Sequence, residues 1–357
     1  MINRIHKLKD SLRGENLDGY IVANETNMLY FSSFLGAARL FVQAVGEPVL
    51  YVYGVNYEAA KDMAKDCRVE QVKKASSDGA DRRVADQVKK LRLKHVGFDA
   101  LEASIFLRLK KTLRGVKLEP QSQLVWNLRK VKDETELGYM RKAAEIAGEG
   151  LRRAAEVIKP GVREYEVAAE IEYAMRKLGS EGAAFETIVA SGPSSAFPHG
   201  GCTAKKIKKG EFIQLDLGAK YQGYRSDLTR TLMLGKPSSK QEEVYKTVKR
   251  SQQEAFASLR EGIKGKDADA VARKVIKRAG YGDYFVHSLG HGVGLDVHEL
   301  PTLTPESKDM LKVGNVVTVE PGIYIVGFGG VRIEDTVLIR RENAERLTKA
   351  SYELTIG

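Results

Sequence analysis

Only six histidines occur in the 357 residues, and four of them, His199, His287, His291 and His298, lie in glycine-rich or strand-end segments of the second half of the chain. One such histidine is ordinarily a satisfied core or loop residue, so the weight falls on the carboxylates around them. Asp216 ends the apolar run Phe212-Ile213-Gln214-Leu215, and Asp227 follows Tyr221-Gln222-Gly223-Tyr224. Folding this segment about a turn centred between Tyr221 and Gln222 sets Asp216 opposite Asp227. The two like charges then lie about 5 Å apart at Cβ, which requires a cation or a proton. Glu320 follows Val316-Val317-Thr318-Val319, and Glu334 lies in Val331-Arg332-Ile333-Glu334, beyond the glycine turn Gly327-Phe328-Gly329-Gly330. Taken singly, these acids fit buried ion pairs with Arg225, Arg230 or Arg332. Taken together beside an imidazole, they form an oxygen-rich donor set that suits a pair of divalent metals better than a thiolate zinc site does.

Other chemistries find no support. His298-Glu299-Leu300-Pro301-Thr302 is not HExxH, and neither a GxSxG elbow nor a GxxxxGK[ST] phosphate cradle occurs. Cys67 and Cys202 are far apart and form no CxxC pair, which excludes a disulfide framework and a cysteine-built metal site. The formal net charge of +11 raises the question of nucleic acid. Its densest stretches, such as Lys89-Lys90, Arg92 and Lys94, are mixed with apolar helix positions and carry no interleaved aromatics, so they read as solvated helix faces. No window approaches the roughly 20 apolar residues of a membrane span, and Met1 to Asp10 lack the apolar core of a secretory signal. A cytoplasmic protein with no membrane and no nucleic-acid partner is expected.

The length leaves room for two domains. Up to about residue 120, β-rich runs (Gly19 to Ala23, Leu40 to Val42, Val49 to Tyr53, Val96 to Phe98) alternate with helical periodicity over Tyr57–Ala64, Arg83–Leu93 and Ala103–Leu113, the pattern of an α/β unit. After Trp126 longer helices begin. Asp133 and Glu136 have capping-box spacing and open a helix through Val157; a second carries Val167, Ile171, Met175 and Leu178 on one stripe and stops at Gly179. Strands are expected over Glu186–Val189, Phe212–Leu215 and Thr229–Met233. The order then recurs: a capping box at Ser239 and Glu242, a helix to about Leu259, a helix over Asp269–Ala279, and strands over Val316–Val319, Ile323–Ile325 and Val331–Ile339. The recurrence predicts a pseudo-duplicated domain.

Asp216-Leu217-Gly218-Ala219-Lys220 with Tyr224-Arg225-Ser226-Asp227-Leu228-Thr229-Arg230-Thr231, the run from His287 to Glu299, Thr318-Val319-Glu320-Pro321-Gly322-Ile323-Tyr324, and Gly330-Val331-Arg332-Ile333-Glu334-Asp335 resemble the pita-bread metallopeptidases, in their Xaa-Pro dipeptidase (prolidase) and Xaa-Pro aminopeptidase branch. The resemblance covers nearly the whole chain. It implies an α+β protein: a creatinase-like α/β domain over 1–125 followed by a pita-bread catalytic domain over 126–357. It also implies metal-dependent hydrolysis of Xaa-Pro bonds in proline-containing peptides, and a homodimer. Two divalent ions, manganese, cobalt or zinc, would be held by Asp216, by Asp227 and Glu334 as bridges, and by His291 and Glu320. Glu320 would also shuttle protons, His199 and His298 would contact the substrate and stabilise the tetrahedral intermediate, His287 would support them, and Arg332 would orient Glu334 or a neighbouring carboxylate. Dipeptide-specific members often carry arginine directly after the His-Glu-x-Pro run, where this chain has Thr302, so aminopeptidase action on longer peptides stays open. The large N-terminal domain argues against a methionine aminopeptidase. Five intact ligand positions argue against a metal-free amidinohydrolase and a catalytically silent peptide-binding member.

Overall fold

Short β-branched and aromatic runs set between amphipathic stretches dictate a layered α/β arrangement, and the chain opens with one. The computed structural model describes residues 4–73 and 79–356, so Met1 to Asn3 of the expected leaderless start lie outside the described residues. Two compact units are present, Met1–Arg129 and Lys130–Gly357. In the first, strands β1 (Gly19–Val22), β2 (Arg39–Gln43), β3 (Val49–Tyr53), β4 (Arg68–Val72), β5 (His95–Phe98) and β6 (Lys117–Pro120) form one sheet in the order β4-β3-β2-β1-β5-β6. The four expected strands are its centre. The edge strands β4 and β6 carry charge at alternate positions and so escape a hydrophobic pattern. Helices α3 (Gly54–Met63), α4 (Gly79–Lys90) and α5 (Ala103–Thr112) match expectation, whereas α1 (Arg4–Gly14), α2 (Glu25–Ser32) and α6 (Ser122–Arg129) add to it. In α1 the signal was present but short, with Ile5, Leu8 and Leu12 buried at helical spacing.

The second unit contains the expected duplication. Helices α7 (Glu134–Val157) and α8 (Glu164–Lys177) precede β7 (Ile188–Ser191), β8 (Phe212–Leu217), the ribbon β9 (Lys220–Tyr221) and β10 (Tyr224–Arg225), and β11 (Leu228–Leu234). Helices α9 (Ser239–Ser258) and α10 (Gly265–Arg278) then precede β12 (Gly290–Gly292), β13 (Glu299–Leu303), β14 (Val316–Val319), β15 (Gly322–Ile325), β16 (Gly329–Arg332), β17 (Asp335–Ile339), β18 (Ala344–Arg346) and β19 (Thr355–Ile356). One sheet runs β19-β11-β8-β7, the other β13-β12-β14-β17-β18, and β15-β16 forms a ribbon. Each half has its own core: Val167, Ile171, Ile213, Leu215 and Leu228 in the first, Val244, Val248, Ala272, Val317 and Val337 in the second. The Asp133–Glu136 capping box is in place, each side chain bonded to the other's backbone N–H at 2.9 Å.

Several expectations need correction. The second capping box sits one residue early, on Ser238 and Gln241, because Ser238 is the residue with extended backbone. Leu178 lies past the last residue of α8 and is exposed. Helix α10 starts at Gly265, four residues before Asp269. The run Val331–Ile339 is two strands, since β16 pairs with β15 and β17 with β14, leaving Ile333 and Glu334 in the break.

The largest correction concerns register. The hairpin turn is Gln222-Gly223, with φ of 50° and 79°, a two-residue turn with both central residues left-handed. That pairs Tyr221 with Tyr224 and, further along, Asp216 with Thr229. Asp216 and Asp227 are therefore diagonal neighbours on one face, not direct partners.

The halves are joined by a buried ion pair. Arg230 Nη2 lies 2.9 Å from Asp335 Oδ1, with side-chain exposures of 1% and 0%. Arg230 also donates to the Thr229 and Glu334 carbonyls (3.0 and 2.5 Å) and, through Nε and Nη2, to those of Ser351 and Ala350. Asp335 accepts from Gln252, Thr348 and Tyr352. Removing one partner strands a buried charge, so Arg230→Met is expected to destabilise this unit by about 3–5 kcal/mol. Thermal and denaturant unfolding measure this, and a loss under about 1 kcal/mol would contradict the account.

Candidate metal centre

Strand alternation decides which residues of the hairpin face the candidate site. Tyr224 donates its hydroxyl to Glu136 of α7 (2.8 Å), Ser226 donates to the Ala143 carbonyl of α7 (3.1 Å), and Leu228 packs in the first-half core. Residues 224, 226 and 228 thus face the helices, and Arg225, Asp227 and Thr229 face away from them with Asp216. The second half meets that face. Glu334 N–H donates to the Thr229 carbonyl (3.0 Å), Thr229 Oγ1 donates to Glu334 Oε2 (2.6 Å), and Thr336 Oγ1 donates to the Asp227 carbonyl (2.8 Å).

His291 enters from β12, where a Cβ on the preceding Gly290 would lie 2.2 Å from the Thr318 carbonyl oxygen. Only glycine permits that approach. His291 N–H donates to Thr318 Oγ1 (3.0 Å), which donates to Glu320 Oε1 (3.0 Å). His291 Nδ1 is bonded to the Gly292 carbonyl (3.1 Å), leaving Nε2 for the acids: 3.3 Å from Glu320 and 3.7 Å from Asp227. One donor atom from each of Asp227, His291 and Glu334 lies within 4.8 Å of the others.

Asp216 completes the acidic face, with Oδ2 held 2.5 Å from Arg332 Nη2. Its Oδ1 is buried without a hydrogen-bond partner among the described residues. Arg332 also donates to Thr229 Oγ1 (3.1 Å), the Pro198 carbonyl (3.1 Å) and the Tyr324 hydroxyl (2.8 Å). It therefore orients Asp216 directly and Glu334 through Thr229. Tyr324 passes the network to His287 Nε2 at 2.9 Å. The His298 ring lies 4.2 Å from that of His291, tilted against it, and is exposed; His199 is also exposed, beside the Pro198 carbonyl that Arg332 holds. Of the residues expected here, Asp216, Asp227, His291, Glu320 and Glu334 are brought together, with His298 and Arg332 directly against them and His287 joined to them through Tyr324. His199 follows Pro198, whose carbonyl Arg332 holds. Tyr324 and the threonines Thr229, Thr318 and Thr336 were not singled out in the sequence. Their only signal was hydroxyls interleaved with the acids.

The electrostatics have definite directions. Burial, then the Asp216 charge, pushes the Asp227 carboxyl well above its usual range, and burial with the Asp227 charge does the same to Glu334. Burial opposes charge on His291 too, but the Glu320 hydrogen bond and the surrounding carboxylates win and lift it to about 9. The same pairing outweighs burial at Glu320 and holds it at about 2. Burial lowers His287 and His298, and burial pushes Tyr324 up to about 12 against the pull of Arg332. Two carboxyls that resist ionising together, one orphaned buried carboxylate oxygen, and hard oxygen and imidazole donors around one point fit bound divalent cations.

Comparison with known proteins agrees with this geometry. Residues 138–341 match metallopeptidase family M24, and residues 4–131 match the creatinase/prolidase N-terminal domain. The chain belongs to metallopeptidase family M24, whose members use divalent metal. It is 41% identical to a Xaa-Pro dipeptidase of Pyrococcus furiosus, over 99% of this chain and 100% of that one. Among solved structures it is similar to a Xaa-Pro dipeptidase from Bacillus anthracis, with 39% identity, 99% of each chain covered and a TM-score of 0.93. It is also similar to an X-Pro aminopeptidase from Thermotoga maritima, with 34% identity, 97% of this chain and 100% of that one covered, and a TM-score of 0.89. Among the described residues no helix is long and apolar enough to cross a membrane.

Linkage fixes the pH response of the metal-free chain. His291, Asp227 and Glu334 bind protons more tightly folded than unfolded, so the folded state loses stability as pH rises above the ordinary carboxylate range for the two acids and from about 6.5, the ordinary histidine value, through about 9 for His291. Glu320 gives up its contribution only as pH falls below the ordinary carboxylate range toward about 2. Chelator-treated protein is expected to melt at a lower temperature near pH 9 than near pH 6, with added Mn²⁺ raising the alkaline midpoint more because metal competes with protons. A midpoint indifferent to both pH and metal would count against the site.

Proposed function

We propose that the chain is a Xaa-Pro dipeptidase that works with two divalent ions, manganese, cobalt or zinc. The observation that carries this reading is the convergence of Asp227, His291 and Glu334, flanked by Glu320 and Asp216, in a chain that aligns end to end with a relative bearing that name. Asp216, Asp227, His291, Glu320 and Glu334 would hold the ions, Asp227 and Glu334 between them; four carboxylates balance two dications. Bound there, the ions supply the positive charge that acidifies a water and polarises a peptide carbonyl. Glu320, ionised across the neutral range beside His291, takes the proton of the attacking water and delivers it to the proline nitrogen as the bond breaks. His298, exposed with its ring beside that of His291, and His199, exposed next to Pro198, contact the substrate carbonyl and the developing oxyanion. His287 supports Tyr324, and Arg332 orients the two acids it reaches. An Xaa-Pro bond has no amide N–H, so the site owes it no acceptor. A cytoplasmic homodimer belongs to the same reading and rests on family resemblance.

Thr302 favours a second reading, an Xaa-Pro aminopeptidase. Its N–H and hydroxyl both engage Asp309 Oδ2 (3.0 and 3.3 Å), so the position after Pro301 offers a peptide carboxylate no cation. Xaa-Pro dipeptides and Xaa-Pro-containing tripeptides assayed with added Mn²⁺ or Co²⁺ separate the two. Faster dipeptide cleavage is expected, and hydrolysis of neither sinks the proline assignment. Asp227→Asn is expected to lower kcat by at least about 100-fold, since even residues that only support a metal ligand are worth 10–100-fold. It should leave the circular dichroism spectrum unchanged, and near-normal turnover would refute its role.

A further inference from the structure

Cations near the candidate site are nearly all committed. Arg332 is held by Asp216, Tyr324, Thr229 and the Pro198 carbonyl. Arg230 is held by Asp335 and four carbonyls. Lys132 lies 2.6 Å from Glu299, both side chains 1% exposed.

Arg225 differs. By the alternation established above, its side chain leaves the hairpin on the same face as Asp227, two residues on. Its N–H donates to the Gly294 carbonyl (2.8 Å), tying this rim of the site to the loop that carries His291 and His298. Nη1 donates to the Ala184 carbonyl (2.8 Å), while Nε is buried without a hydrogen-bond partner among the described residues. Among the described residues no carboxylate pairs with it. Glu181, an acid beside this hairpin, accepts from Gly223 N–H (3.1 Å) and lies 3.9 Å from Lys220, the residue across the ribbon from Arg225. A half-buried guanidinium with five donors and one recorded acceptor is electrostatically incomplete, and a carboxylate is its best complement.

We propose that Arg225 is a specificity-determining residue that binds a carboxylate of the peptide substrate at the rim of the metal centre. The inference rests on the peptidase reading above and extends it: Thr302 faces Asp309 and cannot take an anion, whereas Arg225 can. Two parts of the peptide offer this chemistry, the terminal carboxylate of an Xaa-Pro dipeptide and an acidic side chain on the Xaa residue.

The experiment uses the metal-loaded chain, Arg225→Met and Arg225→Lys, with four substrates: Ala-Pro, its C-terminal amide, Glu-Pro and Gln-Pro. Arg225→Met is expected to erode the preference for the charged member of one pair about tenfold to a hundredfold, mainly in KM, the worth of a charge-assisted hydrogen bond. Arg225→Lys restores part of it, which a purely structural role would not produce. Erosion of the Ala-Pro preference over its amide assigns the terminal carboxylate. Erosion of the Glu-Pro preference over Gln-Pro assigns the side chain. If both ratios stay within about twofold of wild type the proposal is overturned. Calorimetric titration of the same peptides into metal-stripped protein reads the preference without turnover. Wild type that hydrolyses none of the four yet shows an Arg225-dependent preference in binding rejects the peptidase reading and keeps this one; turnover without any such preference does the reverse.

Discussion

Asp227 and Glu334 come from different halves of one unit and place their carboxylates beside His291, largely out of reach of water. Their burial together in an acidic cluster is the constraint around which the rest of the unit is organised. Burial first, then the neighbouring carboxylates, raises both acids; Glu320 and then Asp227 draw His291 toward its charged form, and Arg332 holds Asp216. Each hydroxyl between the strands also has a share in it. Thr229 ties Glu334 to Arg332, Thr336 ties Asp227 to β17, and Thr318 ties His291 to Glu320. A cation offsets what the protein alone offsets with protons, so the same residues that tolerate its absence at acid pH are those proposed to hold it at neutral pH.

The two halves are alike in element order but unlike in what they bring. The first supplies Asp216 from within the paired strand β8 and Asp227 from the break between β10 and β11. The second supplies its acids at places where pairing stops: Glu320 after β14 and Glu334 between β16 and β17. Paired strands fix position, and strand breaks allow a side chain to be turned inward. The centre uses both devices.

Much of this was legible beforehand. The strand-end acids, the glycine-flanked histidines and the repeated helix-helix-sheet order follow from residue type and period. Register did not, because a Gln222-Gly223 turn and one centred a residue earlier differ only in which residue takes positive φ, and either leaves the acids on one face. The edge strands β4 and β6 stayed hidden behind their charges. Arg332 was open between Glu334 and a neighbouring carboxylate because sequence order carries no information on which one it meets; in the fold it takes Asp216 directly and reaches Glu334 through Thr229.

The clasp on Arg230 bears on how the protein is made. Its acceptors include Glu334, Asp335, Ala350 and Ser351, which leave the ribosome more than a hundred residues after Arg230 itself. Strand β11 therefore waits for more than a hundred further residues with an arginine it cannot bury alone. The first half of the centre is not a folding unit in its own right; it closes only when β17 and the segment after it arrive.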